Sequence, residues 1–298
     1  MKNKPILITG IHRSGSTWIG KILSVSKELQ YIHEPFNKAK YRTSPIDHWF
    51  QYVNSETSNI EQESIKNYLM SFTNFSGSRL FKALCNVKFK WQIKQALLYE
   101  LNCFLCRPLF KDPIAVMSAE WLYKELDTQV LVSIRHPAAF VASIKIANWH
   151  FDFNNFLEQQ ALMDDHLDEF KIEIEKELSK KDLITTGILL WNCIYSYVNK
   201  LQKTYYNNSD WIFIKHEDLS KDPIAKYQEI FTQFGLKFNQ EVKDEILKTT
   251  TSKNKGDFSR DAKKNIYTWK ERLTDSEIAL IKKETKKIWL NFYTDQDW

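Results

Sequence analysis

Residues Pro5 to Trp18 (PILITGIHRSGSTW) restrict the fold more than any other stretch of the chain. Ile6, Leu7 and Ile8 form a continuous apolar run of the kind buried inside a parallel sheet. Gly10 and Gly15 let the backbone bend and approach an anion closely, and a helix is expected to open at Trp18 and run to Ser24. A helix start presents free N–H groups and a partial positive charge to whatever the loop holds. The segment therefore reads as a phosphate cradle, with an ordinary Gly/Ser turn as the plain alternative. The spacing Gly10-x-x-x-x-Gly15 is that of a nucleoside triphosphate P-loop, which also requires Lys at position 16. Position 16 is Ser, and the cation is Arg13, inside the loop. Such a cradle suits a terminal group carrying less charge than a γ-phosphate with its Mg²⁺.

A second segment has matching chemistry. Gln129 to Ile134 (QVLVSI) is another apolar strand; it delivers Arg135 into a His136-Pro137 turn, with Ser143 eight residues on, in the helix that follows. A guanidinium matches phosphate oxygens in a bidentate fashion, and a hydroxyl on the next helix can donate alongside it. A third segment, Leu29 to His33 (LQYIH), reads as a strand running directly into Glu34-Pro35-Phe36-Asn37. Glu34 is thereby expected at the same carboxyl edge of the sheet as the cradle, where open parallel sheets bind ligands.

These three segments resemble the sulfotransferase family. Arg13-Ser14-Gly15-Ser16-Thr17-Trp18 is similar to that family's 5′-phosphosulfate loop, and Arg135-His136-Pro137 with Ser143 looks like its 3′-phosphate site. The resemblance implies 3′-phosphoadenosine-5′-phosphosulfate (PAPS) as co-substrate and adenosine 3′,5′-bisphosphate (PAP) as product. It implies that Arg13, Ser14, Gly15, Ser16 and Thr17 hold the phosphosulfate, that Trp18 stacks on the adenine, and that Arg135 and Ser143 bind the 3′-phosphate. Phe110-Lys111-Asp112-Pro113 resembles the family's Lys-Asp-Pro at a strand end. Lys215-His216-Glu217-Asp218-Leu219 is similar to its Tyr-Glu-Asp-Leu stretch, with His216 in the tyrosine's place and no role assigned to it or to Lys215. Ser259-Arg260-Asp261 and Thr268-Trp269-Lys270 resemble the region that often supplies a further cation to the 3′-phosphate; Arg260 is the candidate here, in competition with the basic residues at 253, 255, 263 and 264.

Sulfuryl transfer to an alcohol needs a group that takes the hydroxyl proton and cations that stabilise the departing phosphate oxygen. Family members acting on carbohydrate or tyrosine hydroxyls resemble this chain in carrying a Glu after the phosphate-loop helix, which implies Glu34 as base. His33 and His12 remain alternatives, and so does a purely structural pairing of Glu34 with a nearby cation. Arg13 and Lys111 are the cations that strand order brings to the cradle, and no metal is expected. The expected acceptor is a hydroxyl, on a carbohydrate or glycan. The runners-up are a P-loop kinase for a small alcohol, which the missing lysine opposes, and a non-catalytic nucleotide-binding protein.

Composition agrees. The 298 residues carry 43% hydrophobic content and a formal charge of +5, which fits anionic ligands, and no nucleic-acid recognition module is present in the sequence. Cys103-x-x-Cys106 lacks a partner pair at zinc spacing, so the four cysteines read as reduced thiols. With the first strand starting at Pro5 and no apolar run reaching the ~18 residues of a membrane span, a cytoplasmic location is expected. The fold expected is α/β, with a parallel central sheet flanked by helices and a P-loop-like loop after strand 1. Strands are expected near 5–9, 29–33, 106–110, 129–134 and 211–215, in one domain over 1–298. Insertions at 38–105 and 144–185 are the expected acceptor walls. Trp149 to Phe153 could contact acceptor or fill core equally well, and Asp164 to Lys181 reads as an amphipathic surface helix.

Overall fold

The computed structural model describes residues 4–41, 43–180, 182–250 and 266–298. Five strands form one sheet: β1 (Ile6–Gly10), β2 (Leu29–His33), β3 (Arg107–Lys111), β4 (Gln129–Ile134) and β5 (Trp211–Lys215). Their spatial order is β2-β3-β1-β4-β5, and all four pairings are parallel. Each lies within one residue of its expected position.

Period-two alternation gives the sheet two apolar faces, and a separate core covers each. Ile6, Ile8, Leu109, Leu131 and Ile214 face α1 (Ser16–Leu23) and the later helices that carry Tyr227, Ile230, Phe231 and Ile246. Leu7, Phe110, Val130, Val132 and Ile134 belong to the larger core on the other face.

Between β2 and β3 come α2 (Asn59–Ser71), α3 (Gly77–Cys85) and α4 (Lys90–Leu105). Asp112 caps a short 3-10 turn (Pro113–Ser118) with Pro at its first position, and α5 (Ala119–Leu126) leads into β4. Helix α6 (Pro137–Ala147) starts at Pro137, whose fixed φ suits the first helical position. Two short helices, α7 (Asn154–Leu157) and α8 (Gln160–Leu162), follow. The expected amphipathic helix over 164–181 is broken. A π turn (Met163–Leu167) and a 3-10 turn (Asp168–Phe170) precede α9 (Lys171–Glu177), which bury Leu167 and Ile174 but leave Leu178 exposed. Lys181 lies outside the described residues. The 23-residue α10 (Leu183–Tyr205) packs on α6, and β5 is followed by α11 (His216–Lys221), α12 (Pro223–Gln233) and α13 (Gln240–Thr250).

The two insertions differ within themselves. Residues 46–69 contribute Ile46, Phe50, Val53, Ile65, Tyr68 and Leu69 to the larger core, whereas α3 and α4 stand largely exposed. Phe151 and Phe153 are core residues, and Trp149 packs against the His12 ring at 4.1 Å.

Candidate active site

Because the strands are all parallel, Gly10, His33, Lys111, Ile134 and Lys215 end at one edge, and the residue after each strand enters the same space. Ile8 pairs with Lys111, and Gly10 with Ser133, so the first loop leaves the sheet between the ends of β3 and β4.

The loop is built close. Gly10 has φ of 143° and Gly15 φ of 91°. A Cβ on Gly10 would stand 2.4 Å from the Ser133 carbonyl oxygen, and one on Gly15 would stand 2.3 Å from Nδ1 of His216. Only glycine fits at either position. The His216 imidazole thus supports the loop from the end of β5, a positioning role that its sequence context did not suggest. Burial pushes its pKa down to about 3, so it is a neutral ring under the cradle. Arg13 also adopts a left-handed backbone, φ 66°, a conformation that costs energy in a residue with a Cβ and is found where function holds it. Ser133 Oγ donates to the Ser14 carbonyl at 2.7 Å, tying the loop to β4.

The two halves expected from sequence meet here. Arg13 Nε donates to Ser143 Oγ at 2.7 Å, and Arg135 Nη1 donates to the Arg13 carbonyl at 2.6 Å. Arg135 is itself fixed at its backbone, its N–H donating to Tyr195 Oη at 2.8 Å and its carbonyl accepting from Trp191 Nε1 at 3.0 Å. Glu217, which follows His216, accepts from the His136 N–H at 3.1 Å and from Tyr293 Oη at 2.9 Å. Burial raises its pKa, and the positive charge of Arg135 opposes that rise. Trp18 is half-buried, edge-on to Tyr227 and His216, and its indole N–H donates to Thr249 Oγ1 at 3.0 Å.

Among the described residues, Thr9 Oγ1, Ser14 Oγ, His216 Nδ1 and Arg135 Nε are buried and have no hydrogen-bond partner. Buried polar atoms are nearly always paired, so four such atoms in and around one glycine-lined loop fit a ligand rich in oxygen acceptors. The first amides of α1 add donors that no helical carbonyl can satisfy.

Glu34 completes the edge. Its backbone is left-handed, φ 53°, and its N–H donates to the Lys111 carbonyl at 2.8 Å, placing the carboxylate beside the Lys111 ammonium. Lys111 is buried and pairs with Oε1 of Glu34, while Asn37 Nδ2 donates to Oε2 at 3.1 Å. Burial alone would raise the Glu34 pKa. The hydrogen bond and charge of Lys111, helped by Asn37 and His33, outweigh it and hold the carboxyl below its ordinary value. Asp112 behaves oppositely: burial pushes it up to about 7, even though it accepts from the N–H groups of Phe36 at 2.5 Å and Ile114 at 3.2 Å.

Both nearby histidines are held neutral. His12 is packed among Phe50, Phe140 and Trp149, and burial lowers its pKa to about 3. His33 is lowered as well, by burial and then by Lys111.

The profile of the family described as "Sulfotransferase domain" matches residues 3–297, nearly the whole chain. The chain belongs to the sulfotransferase family. It is a PAPS-dependent sulfotransferase enzyme. No curated protein matches this sulfotransferase in sequence. Solved structures that resemble it include sulfotransferase STF9 from Mycobacterium avium, 12% identical over 99% of this chain and 78% of that one, with a TM-score of 0.48. Mouse sulfotransferase SULT7A1 complexed with PAP is 12% identical over 100% of this chain and 88% of the other, TM-score 0.49. The sulfotransferase domain from the curacin biosynthetic pathway is 14% identical over 96% and 98%, TM-score 0.49.

Arg260, with its neighbours Ser259 and Asp261 and the basic positions 253, 255, 263 and 264, lies outside the described residues of the sulfotransferase. Trp269, in the same tail, stacks on His136 with ring centroids 5.2 Å apart, and Lys270 Nζ donates to the Trp298 carbonyl at 3.0 Å.

Proposed function

We propose that the chain transfers a sulfuryl group from PAPS to a carbohydrate hydroxyl, with Glu34 as the general base. The observation that carries this reading is the Glu34 carboxylate, held ionised by Lys111 at the same sheet edge as the glycine-lined loop. PAPS supplies an activated sulfuryl group whose S–O bond to the 5′-phosphate breaks as the acceptor oxygen bonds to sulfur. The acceptor proton passes to Glu34, and the electron pair of the broken bond stays on the phosphate oxygen of PAP.

The residues divide the work. Arg13, Ser14, Gly15, Ser16 and Thr17 hold the phosphosulfate, with Arg13 and Lys111 offsetting charge on the departing oxygen. Arg135 and Ser143 take the 3′-phosphate, Trp18 the adenine, and Arg260 is assigned an auxiliary contact to the same 3′-phosphate. Arg13 and Ser143 hold each other through the 2.7 Å bond, so the two phosphate sites are set in mutual register. These fixed cations supply the charge that a metal would, and the transfer is proposed to be metal-free.

A carbohydrate acceptor is favoured by the position of Glu34, which resembles that in family members acting on carbohydrate or tyrosine hydroxyls. The walls of the acceptor site are assigned to the insertions at 38–105 and 144–185 of a single 1–298 domain. Their packing supports this. Lys40 Nζ and Tyr41 Oη donate to the carbonyl of His33, next to the base, at 2.6 and 2.9 Å. The two insertions also clasp each other, the N–H groups of Trp49 and Tyr52 donating to Asn155 Oδ1 at 3.0 Å and Gln159 Oε1 at 2.7 Å. The cysteines are free, and a reducing, cytoplasmic setting is proposed.

Transfer of labelled sulfuryl from PAPS to a panel of oligosaccharides, with Glu34→Gln alongside and with EDTA present, tests the whole reading. Labelled sugar with wild type, unaffected by EDTA and lost in the variant, is expected. Label on a phenol or small alcohol alone would replace the acceptor class, and full turnover by the variant would remove Glu34 as base.

A further inference from the structure

Residues 75–105 are built unlike the rest of the molecule. Helices α3 and α4 pack against each other, yet Glu100 and Cys103 are the only buried residues in the segment. Its foot is clamped. Glu100 accepts from the Ser76 N–H and from Arg79 Nη2, both at 2.8 Å, and Arg79 also donates to the carbonyls of Ser71 at 2.6 Å and Asn74 at 2.8 Å. This clamp orders the hairpin without any apolar core beneath it.

What it displays is large and apolar. Phe81 is 68% exposed, Phe89 60%, Trp91 58% and Leu105 70%. Soluble monomers rarely leave so many big apolar side chains on one element unless something covers them. The charge on the same element has one sign. Glu100, the only acid between 75 and 105, is consumed by Arg79, and the other charges are Lys82, Lys88, Lys90 and Lys94, all exposed. A second copy related by a two-fold axis would bring lysines to lysines with no acid across the contact. A bilayer containing anionic lipid offers both complements, negative headgroups for the lysines and an acyl boundary for the rings.

We propose that the 75–105 hairpin is a peripheral docking element that seats this protein on an anionic lipid bilayer. It lies in the interface rather than crossing it: none of the described helices is long and apolar enough to span a membrane. The proposal is independent of the acceptor and of Glu34, since it rests on this element alone.

Flotation of the full chain with vesicles tests it, using phosphatidylcholine alone and phosphatidylcholine mixed with phosphatidylglycerol. Binding is expected to the mixed vesicles and not to the neutral ones, and to weaken as salt rises. Each lysine removed, in Lys88→Gln and Lys90→Gln, should lower the partition coefficient about fivefold. Trp91→Glu should lower it roughly tenfold or more, with thermal melting by circular dichroism confirming the fold. Should Trp91→Glu fail to fold, the two exposed lysine variants carry the test. Absence of binding to anionic vesicles overturns the proposal. If, in addition, sedimentation equilibrium shows a dimer that Trp91→Glu dissociates, the face belongs to a second copy. Vesicle binding that none of these variants weakens places the contact elsewhere and also overturns it.

Discussion

In the half of the cleft proposed to hold PAPS, contacts join residues that sit at strand ends or on the helices directly after them: Arg13 to Ser143, Arg135 to Arg13, and Ser133 to Ser14. Around Glu34 the architecture is different. Lys111 and Asp112 come from the end of β3, but Lys40, Tyr41 and Tyr68 reach in from an insertion, Tyr68 donating to the Pro35 carbonyl at 2.9 Å. The donor half is fixed by sheet register, which every parallel pairing reinforces. The half proposed for the acceptor is fixed by side chains from long connections, so its shape can change without disturbing the sheet. A scaffold of this kind can keep one donor while varying the acceptor.

Glu34→Gln separates the halves most sharply. Loss of the proposed general base should lower turnover by about 10² to 10⁴, while PAP affinity measured by calorimetry stays near wild type. A parallel loss of PAP affinity would mean that Glu34 shapes the donor half too. The pH profile sharpens the point. Because Lys111 holds Glu34 below its ordinary carboxylate value, the acid limb of kcat/KM should lie below that ordinary value, and a limb above it would contradict Glu34 as the base.

The loop itself should answer to Gly15→Ala, which sets a methyl against the His216 ring at φ 91°. A destabilisation of about 1–3 kcal/mol is expected, seen in denaturant titration. His216→Ala should recover part of it in the double variant. Strict additivity would show that the imidazole does not support the loop. Ser143→Ala removes one neutral donor and should weaken PAP by roughly 0.5–1.5 kcal/mol, with a smaller loss for ADP.

The effect at Asp112 falls on stability rather than on ligand binding. Its folded pKa, about 7, stands above the unfolded carboxyl value near 3.9, so its contribution to stability is fully present below about pH 4 and is lost as pH rises towards 7. Asp112→Asn should therefore lose less stability than wild type on going from pH 5 to pH 8, read as the difference in Tm. An unchanged difference would mean that Asp112 stays ionised in the folded protein.

How far the sequence discloses this follows from the same division. Strands were legible because their apolar runs are short and bounded by glycine, proline or charge. The α12 helix carries its boundary signals in the chain itself: Asp222 caps it, its carboxyl accepting from the Ala225 N–H at 3.3 Å, and Gly235 ends it with φ 68°. The order of motifs placed Arg13, Ser143 and Arg135 on one edge, and the structure shows them in contact. The support that His216 gives Gly15 was not legible, because it joins positions 201 residues apart through van der Waals fit alone. The cap made by Asp112 did leave a signal, an Asp directly before Pro113 at a strand end, which the resemblance to a Lys-Asp-Pro motif obscured. Phe151 and Phe153 could not be told from ligand-stacking aromatics, since burial of a ring is decided by what packs on it. Nor did helical periodicity reveal that α3 and α4 would remain exposed, because a sequence pattern does not say whether core or solvent meets a helix's apolar side chains.

The central claim, that Arg135 belongs to a 3′-phosphate site wired to the phosphosulfate loop, is tested most directly by calorimetric titration of wild type and Arg135→Ala with PAP and with ADP. Wild type should bind PAP far more tightly than ADP, and the variant should lose that preference by about 10- to 100-fold, the worth of one charge-assisted contact. Equal affinity of wild type for PAP and ADP, or an undiminished preference in the variant, would contradict it.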